Sequence, residues 1–198
     1  MRNFFYCIVF LFVAIISSCT GSGSDQPIKI SIQPFTDISK ADVEYVYAEL
    51  KKVYPNIEIK RSIDLPSSAF YSARNRYRAD SIIHYLKRNT PKGYVTIGLT
   101  TKDISTTKNG VKDWGVMGLG YRPGRSCVAS SFRLANDQKR TQLFKVAVHE
   151  IGHTQNLPHC SVKTCFMRDA EGGNPTNEEK EFCTDCKAHL IDRGWQLQ

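Results

Sequence analysis

His149-Glu150-Ile151-Gly152-His153-Thr154-Gln155-Asn156-Leu157-Pro158-His159 is the stretch on which the reading of this 198-residue chain turns. It closes the most helical run of the sequence, Asp137 to Gln155. There Leu143, Val146, Ala147 and Ile151 make one apolar side, and Asp137 or Asn136 can cap the start. Residues at i and i+4 of a helix project from one face, so His149 and His153 can bind one metal ion. Glu150 beside them can reach a water at that ion. His159 follows six residues after His153, which lengthens the motif to HExxHxxxxxH. For His159 to face the same metal, the chain must leave the helix and turn back at Asn156. That turn needs a residue tolerant of positive φ, and asparagine ranks next after glycine. Pro158 stiffens the approach. Three imidazoles around zinc leave a fourth position for water. The metal lowers the pKa of that water to about 7 and polarises a carbonyl. Glu150 takes the proton as general base and passes it to the leaving amine. The chemistry is peptide-bond hydrolysis. No GxSxG occurs and Cys127 has no motif around it, so a nucleophilic route has no carrier. His84 stands alone. His189 also reads as an ordinary residue, with a ligand role as the minor alternative because it lies three residues past Cys186.

The next residues outward are cysteines. The chain has 7, and Cys160, Cys165, Cys183 and Cys186 crowd near the C-terminus as Cx4C…CxxC. Cys183 and Cys186 near a helix start share a face, as a zinc site requires. Four thiolates make a closed tetrahedral structural site. Such a site orders the irregular segment 157–178 and, through Cys160, helps place His159. Two disulfides are the competing reading, because an exported protein meets an oxidising compartment. A CxxC disulfide closes a very small loop and stabilises little, so the spacing favours zinc. A redox CxxC lacks a thioredoxin-like setting. Met167 alone reads as a core methionine.

Taken together, His149-Glu150-xx-His153-xx-Asn156-xx-His159-Cys160-x4-Cys165-x-Met167…Cys183-xx-Cys186 resembles the archaemetzincins, a branch of the metzincin zinc metallopeptidases. The match covers 149–186 directly and, more loosely, the chain from about residue 28, including Ser131-Phe132-Arg133-Leu134. The resemblance implies that His149, His153 and His159 bind catalytic zinc and that Glu150 is the general base. It implies a second, structural zinc on Cys160, Cys165, Cys183 and Cys186, so two Zn2+ per chain. It makes Met167 the Met-turn residue, an apolar floor under the metal. It also implies a peptide lying extended beside an antiparallel edge strand above the zinc helix, here Trp114 to Tyr121. The glycines at 115, 118 and 120 either admit that peptide or mark bulges. This chain departs from the family in Asn156, where the family has glycine, and in a shorter loop from Met167 to Cys183.

The rest of the chain supplies a sheet and an address. Strands are expected at 28–32, 57–59, 94–99, 114–121 and 127–132, with helices at 37–53 (capped by Ser39 or Asp37), 74–89 and from Asn177 to about Asp192. Alternating strands and helices give an α/β (α+β) class. With the resemblance, the expected fold is a metzincin-like zincin. It has a twisted, mixed five-stranded sheet, a long active-site helix and a small C-terminal lobe stabilised by zinc. At the N-terminus Arg2 precedes an apolar run, Phe4 to Ile16, too short for a bilayer that takes roughly 20 residues. It suits a signal peptide. Ile16-Ser17-Ser18-Cys19 resembles a bacterial lipobox, with plain cleavage near Ser17 or Ser18 as the competing reading. The Gly/Ser-rich run after Cys19 suits a tether. The expected organisation is a signal peptide at 1–18, a lipidated Cys19 with tether at 19–27, and a metalloprotease domain at 28–198. That domain divides into 28–156, with the sheet, and 157–198, with the structural zinc. The expected place is the bacterial cell envelope, anchored by lipid on the outer-membrane or periplasmic side, and the chain is expected to be a monomer. The net charge of +8 falls to +7 over 180 residues once residues 1–18, with Arg2, are gone. The basic residues are dispersed, so nucleic acid is not an expected partner. The competing function is a catalytically weak or inactive protease fold that binds peptides, against which the intact Glu150 speaks.

Overall fold

The computed structural model describes residues 28–197. Cys19, the expected signal peptide and the tether lie outside them. The chain opens with strand β1 (Lys29–Pro34), helix α1 (Lys40–Val53) and strand β2 (Ile57–Ile59). Two very short strands follow, β3 (Phe70–Tyr71) and β4 (Arg76–Arg78), then helix α2 (Ala79–Arg88). Strands β5 (Tyr94–Thr100), β6 (Ile104–Lys108), β7 (Val111–Val116), β8 (Gly118–Gly120) and β9 (Ser126–Ser130) come next. Helices α3 (Lys139–Thr154) and α4 (Thr184–Asp192) complete the described chain.

The main sheet has five strands in the order β2-β1-β5-β9-β8. The first four run parallel and β8 pairs antiparallel with β9, which makes the sheet mixed, as expected. Parallel strands are covered on both faces, and β1, β5 and β9 are buried along almost their whole length. Ile30, Ile32, Ile97, Leu99, Cys127 and Ala129 face α1 and α3. Phe35 and Val128 face α2, against its stripe of Ala79, Ile82, Ile83 and Leu86. Cys127 is a fully buried core residue between sheet and helix. Residues Leu157, Phe166, Met167, Cys186 and Leu190 join the α3 side of the same core, and Trp195 stacks on Tyr54 at 4.5 Å.

The structure corrects four elements. A second sheet, β3-β4-β6-β7, has no apolar alternation to announce it and is tied by ion pairs instead. Arg76 reaches Asp103 at 3.0 Å and Asp113 at 3.1 Å. Those pairs hold Arg76–Arg78 against β6 and delay α2 to Ala79, where a helix from residue 74 was expected. The stretch 114–121 is two strands. At Met117 the chain leaves β6 and crosses to β9, so β7 edges the second sheet and β8 edges the first. The last helix starts at Thr184, because the Asn177 carboxamide accepts from Gln142 Nε2 (2.9 Å) and caps nothing. Pro175–Asn177 is a single 3-10 turn. Of the two cap candidates at α1, Ser39 accepts from the Asp42 amide, while Asp37 accepts from Thr100. Among the described residues no helix is long and apolar enough to cross a membrane.

Candidate metal centre

Helix α3 ends in a Schellman motif. Asn156 sits at φ 71°, its amide donates to the His153 carbonyl (2.9 Å), and the Leu157 amide donates to the Gly152 carbonyl (3.1 Å). This is the reversal that carries the chain back towards His159. His149, His153 and His159 then lie together, with ring centroids 4.6, 4.9 and 5.4 Å apart. One ligand atom from each falls within 4.8 Å of the others.

The outer nitrogens fix which atoms face inward. His149 Nδ1 meets the Phe166 carbonyl at 2.7 Å, and His153 Nδ1 meets the Leu157 carbonyl at 2.9 Å. A carbonyl only accepts, so each Nδ1 carries its proton and each Nε2 offers a lone pair. His159 Nδ1 lies 3.0 Å from Asp169 Oδ2. The Glu171 amide first, with His159 and Lys108 behind it, holds the Asp169 carboxyl below its ordinary range. Burial pushes the His149 imidazole down to about 3, which keeps it in the neutral form a metal needs. The donor set is therefore three imidazoles, each held from behind by an oxygen, which fits zinc.

Glu150 is buried, and burial raises its carboxyl to about 8. Its carboxylate lies over Gly118 of β8, where a Cβ would stand 2.5 Å from Oε1. Gly118 is therefore a glycine for the sake of Glu150. Met167 is fully buried against Gly152 of α3, which has no room for a side chain there. That contact ties the loop residue expected at the Met-turn to the helix that carries His149 and His153. The histidines and Glu150 open into a cleft of about 710 Å³ between the β7–β8 stretch and residues 168–176. One turn before His149, Lys145 donates to the carbonyls of Thr176 (2.5 Å) and Glu179 (2.7 Å) in the cleft wall.

Cys160, Cys165, Cys183 and Cys186 form a second cluster, also within 4.8 Å. They are free thiols, with Sγ–Sγ distances of 3.7 Å for Cys160–Cys183 and for Cys165–Cys186. A disulfide needs about 2.05 Å. A tetrahedron of sulfurs about 2.3 Å from zinc has edges of about 3.8 Å. Burial pushes the Cys165 thiol up to about 11 and Cys186 higher still, so a divalent cation is what would let all four ionise side by side. His189 is not in the cluster; its Nε2 lies 2.9 Å from the Gln155 carbonyl.

Residues 28–193 match peptidase family M54. The chain belongs to that family. It is similar to the archaemetzincin of Halobacterium salinarum, 28% identical over 173 residues that cover 80% of this chain and 97% of that one. The archaemetzincin of Archaeoglobus fulgidus is 29% identical over 167 residues, 82% and 98% of the two chains. Its solved structure, complexed with malonate, gives a TM-score of 0.70 over 82% of this chain and 99% of that one. A zinc-dependent peptidase from Methanocorpusculum labreanum shares the fold, with a TM-score of 0.72 at 20% identity over 81% and 99%. As an M54 archaemetzincin the chain is a zinc metallopeptidase, a hydrolase.

Motif reading missed what stands behind the M54 histidines. Asp169 and the carbonyls of Leu157 and Phe166 have no signature, because a carbonyl's role belongs to the fold and not to a residue type. Lys145 carried a partial signal. It lies four residues before His149, on the same helix face.

Proposed function

We propose that this M54 chain hydrolyses peptide bonds with His149, His153 and His159 holding a catalytic zinc and Glu150 as general base. The observation that carries the reading is the convergence of three imidazoles, fixed from behind, on a cleft into which Glu150 also opens. Zinc held there supplies a Lewis acid for the scissile carbonyl and a water of lowered pKa. A dication at the histidines would favour the ionised form of Glu150 against its burial, and Glu150 then accepts the proton of the attacking water at its carboxylate and returns it to the leaving nitrogen. A peptide adds to the free edge of β8, antiparallel to it, which aligns the scissile carbonyl with Glu150 across Gly118. Burial of Glu150 keeps bulk water from competing for its proton.

Cys160, Cys165, Cys183 and Cys186 hold a structural zinc, so the chain carries two. The near-tetrahedral sulfur spacing supports this. The chain acts as a monomer without a nucleic-acid partner. Cys19 anchors it by lipid to a bacterial cell envelope, a reading supported by the short apolar run and the Ser17-Ser18-Cys19 sequence. The named relatives are archaeal and carry no weight for that address.

Cleavage of a peptide library by the zinc-loaded chain and by Glu150→Gln tests the reading. Turnover lost by roughly a thousandfold in the variant supports it. Equal, zero turnover in both proteins, with tight peptide binding, overturns it in favour of a binding module.

A further inference from the structure

Four arginines and three aspartates form one ion-pair cluster behind the cleft. Arg74, Arg76 and Arg78 meet Asp113, Arg76 and Arg133 share Asp103, and Arg78 also approaches Asp80. Four against three leaves one positive charge in excess. Arg133 lines the cleft, and its side chain keeps 35% of its surface exposed, where Arg76 and Arg78 keep 19% and 22%. Its Nη2 is spent on Asp103, at 2.8 and 3.0 Å from the two oxygens. Its Nε and Nη1 have no protein acceptor among the described residues. The guanidinium lies against Gly115, where a Cβ would collide with it. It is thus a held cation with unused N–H donors, which suits a carboxylate.

Gly115 and Gly118 make a ruler. Glu150 rests on Gly118 and Arg133 on Gly115, three residues back along the same stretch. At about 3.3 Å per residue the two groups are at most about 10 Å apart along the strand, the reach of two or three residues of an extended peptide. A peptide antiparallel to β8 runs from Gly120 towards Gly115, so Arg133 meets residues on the C-terminal side of the scissile bond.

The geometry points to Arg133 as a substrate-binding residue that holds a peptide carboxylate, of a side chain or of the C-terminus, two or three residues after the scissile bond. This rests on the peptidase reading above and adds a substrate class to it. The test walks a glutamate along quenched fluorescent peptides with one cleavable bond, each made as C-terminal acid and as amide. The zinc-loaded full chain should cleave a peptide with a carboxylate at the second or third position after the bond about tenfold faster in kcat/KM than its glutamine or amide counterpart. That ratio equals about 1.4 kcal/mol. In Arg133→Gln the ratio should fall to near one, and Arg133→Lys should keep part of it. Gly115→Ala, which pushes the guanidinium aside, should lower it too. Each ratio is taken within one preparation, so the folded fraction cancels. Fluorescence anisotropy of the uncleaved peptides on Glu150→Gln should show the same preference. A preference for the acid end alone assigns the carboxylate to the C-terminus; one for internal glutamate assigns it to a side chain. A flat profile, a preference before the bond, or one that survives Arg133→Gln overturns the Arg133 assignment and leaves the peptidase reading standing. No cleavage of any peptide, with no binding by Glu150→Gln, removes both.

Discussion

Gly118→Ala is the sharpest probe of how β8 serves the site. The added Cβ would stand 2.5 Å from Glu150 Oε1, 2.6 Å from its Cγ and 2.8 Å from Val146 Cγ1. Ordinary contact begins at 3.4 Å, so the Glu150 carboxylate must retreat by about 0.9 Å. With Glu150 as the proposed general base, a shift of that order costs about a hundredfold in rate, or about 2.7 kcal/mol of transition-state stabilisation. Overpacking also costs roughly 1–3 kcal/mol of stability, a fall of about 2–10 °C in Tm for a chain of this size. Steady-state kcat/KM on a neutral peptide, with Tm recorded alongside, separates the two effects. Glu150→Asp supplies the second leg of the cycle. Aspartate is one methylene shorter and leaves the Cβ its space, while the Val146 contact is common to both backgrounds. Adding Gly118→Ala to Glu150→Asp should therefore cost less than about threefold. The full hundredfold loss in the aspartate background would mean that the glycine serves the docked peptide and not Glu150. Wild-type activity and wild-type Tm in the single variant would refute the contact itself.

Metal analysis of the folded chain should give two zinc ions, and Cys165→Ser should lose one of them, with Tm lower by roughly 10 °C; an unchanged zinc count in that variant removes the thiol site. Asp169→Ala, which strips His159 of its Nδ1 partner, should weaken zinc at the histidines by about 10- to 100-fold in a chelator competition, and Asp169→Asn, which keeps an acceptor, should weaken it less. Glu179 is buried, and burial raises its carboxyl to about 7 from the ordinary 4.5. A raised carboxyl binds its proton more tightly in the folded chain. Its contribution is therefore complete below about pH 4.5 and lost as the pH rises through about 7. Discounted for partial solvent access, the loss is about 1–2 kcal/mol, and denaturant titrations of Glu179→Gln should be flatter than wild type between pH 5 and 7.

The site was more legible in the sequence than the sheet around it. The three histidines, Glu150, Asn156 and the four cysteines can be read because metal chemistry fixes residue type and spacing together, and a helix converts spacing directly into geometry. Cys127 carried no local signal at all, since its role is only to fill space between β9 and α3. The second sheet failed for a different reason. Its strands are two to six residues long, and charge pairs across the chain, Arg76 to Asp103 and Asp113, do what an apolar alternation does elsewhere. A pairing between residues 76 and 113 leaves no trace in either segment alone. The break at Met117 is hidden in the same way, because β7 and β8 read as one run and differ only in which neighbour each bonds.

The two clusters are built on one loop, and that explains their order in the chain. Every Nδ1 partner of the histidines lies between residues 157 and 169: the Leu157 carbonyl, the Phe166 carbonyl and the Asp169 carboxylate. The same segment carries Cys160, Cys165 and Met167. Its own backbone bonds within it are few. The Cys160 amide reaches the Met167 carbonyl at 2.7 Å, and the Cys165 amide reaches Val162 at 3.0 Å. A loop of this length without regular structure pays a large conformational entropy to hold three acceptors in place. On the two-zinc proposal, sulfur ligation at Cys160 and Cys165, joined to α4 through Cys183 and Cys186, would be the strongest restraint available to it. On that proposal the cysteines would act on the histidines without touching them: a metal there would fix the acceptors, the acceptors fix the tautomers, and the tautomers decide which nitrogens face the cleft.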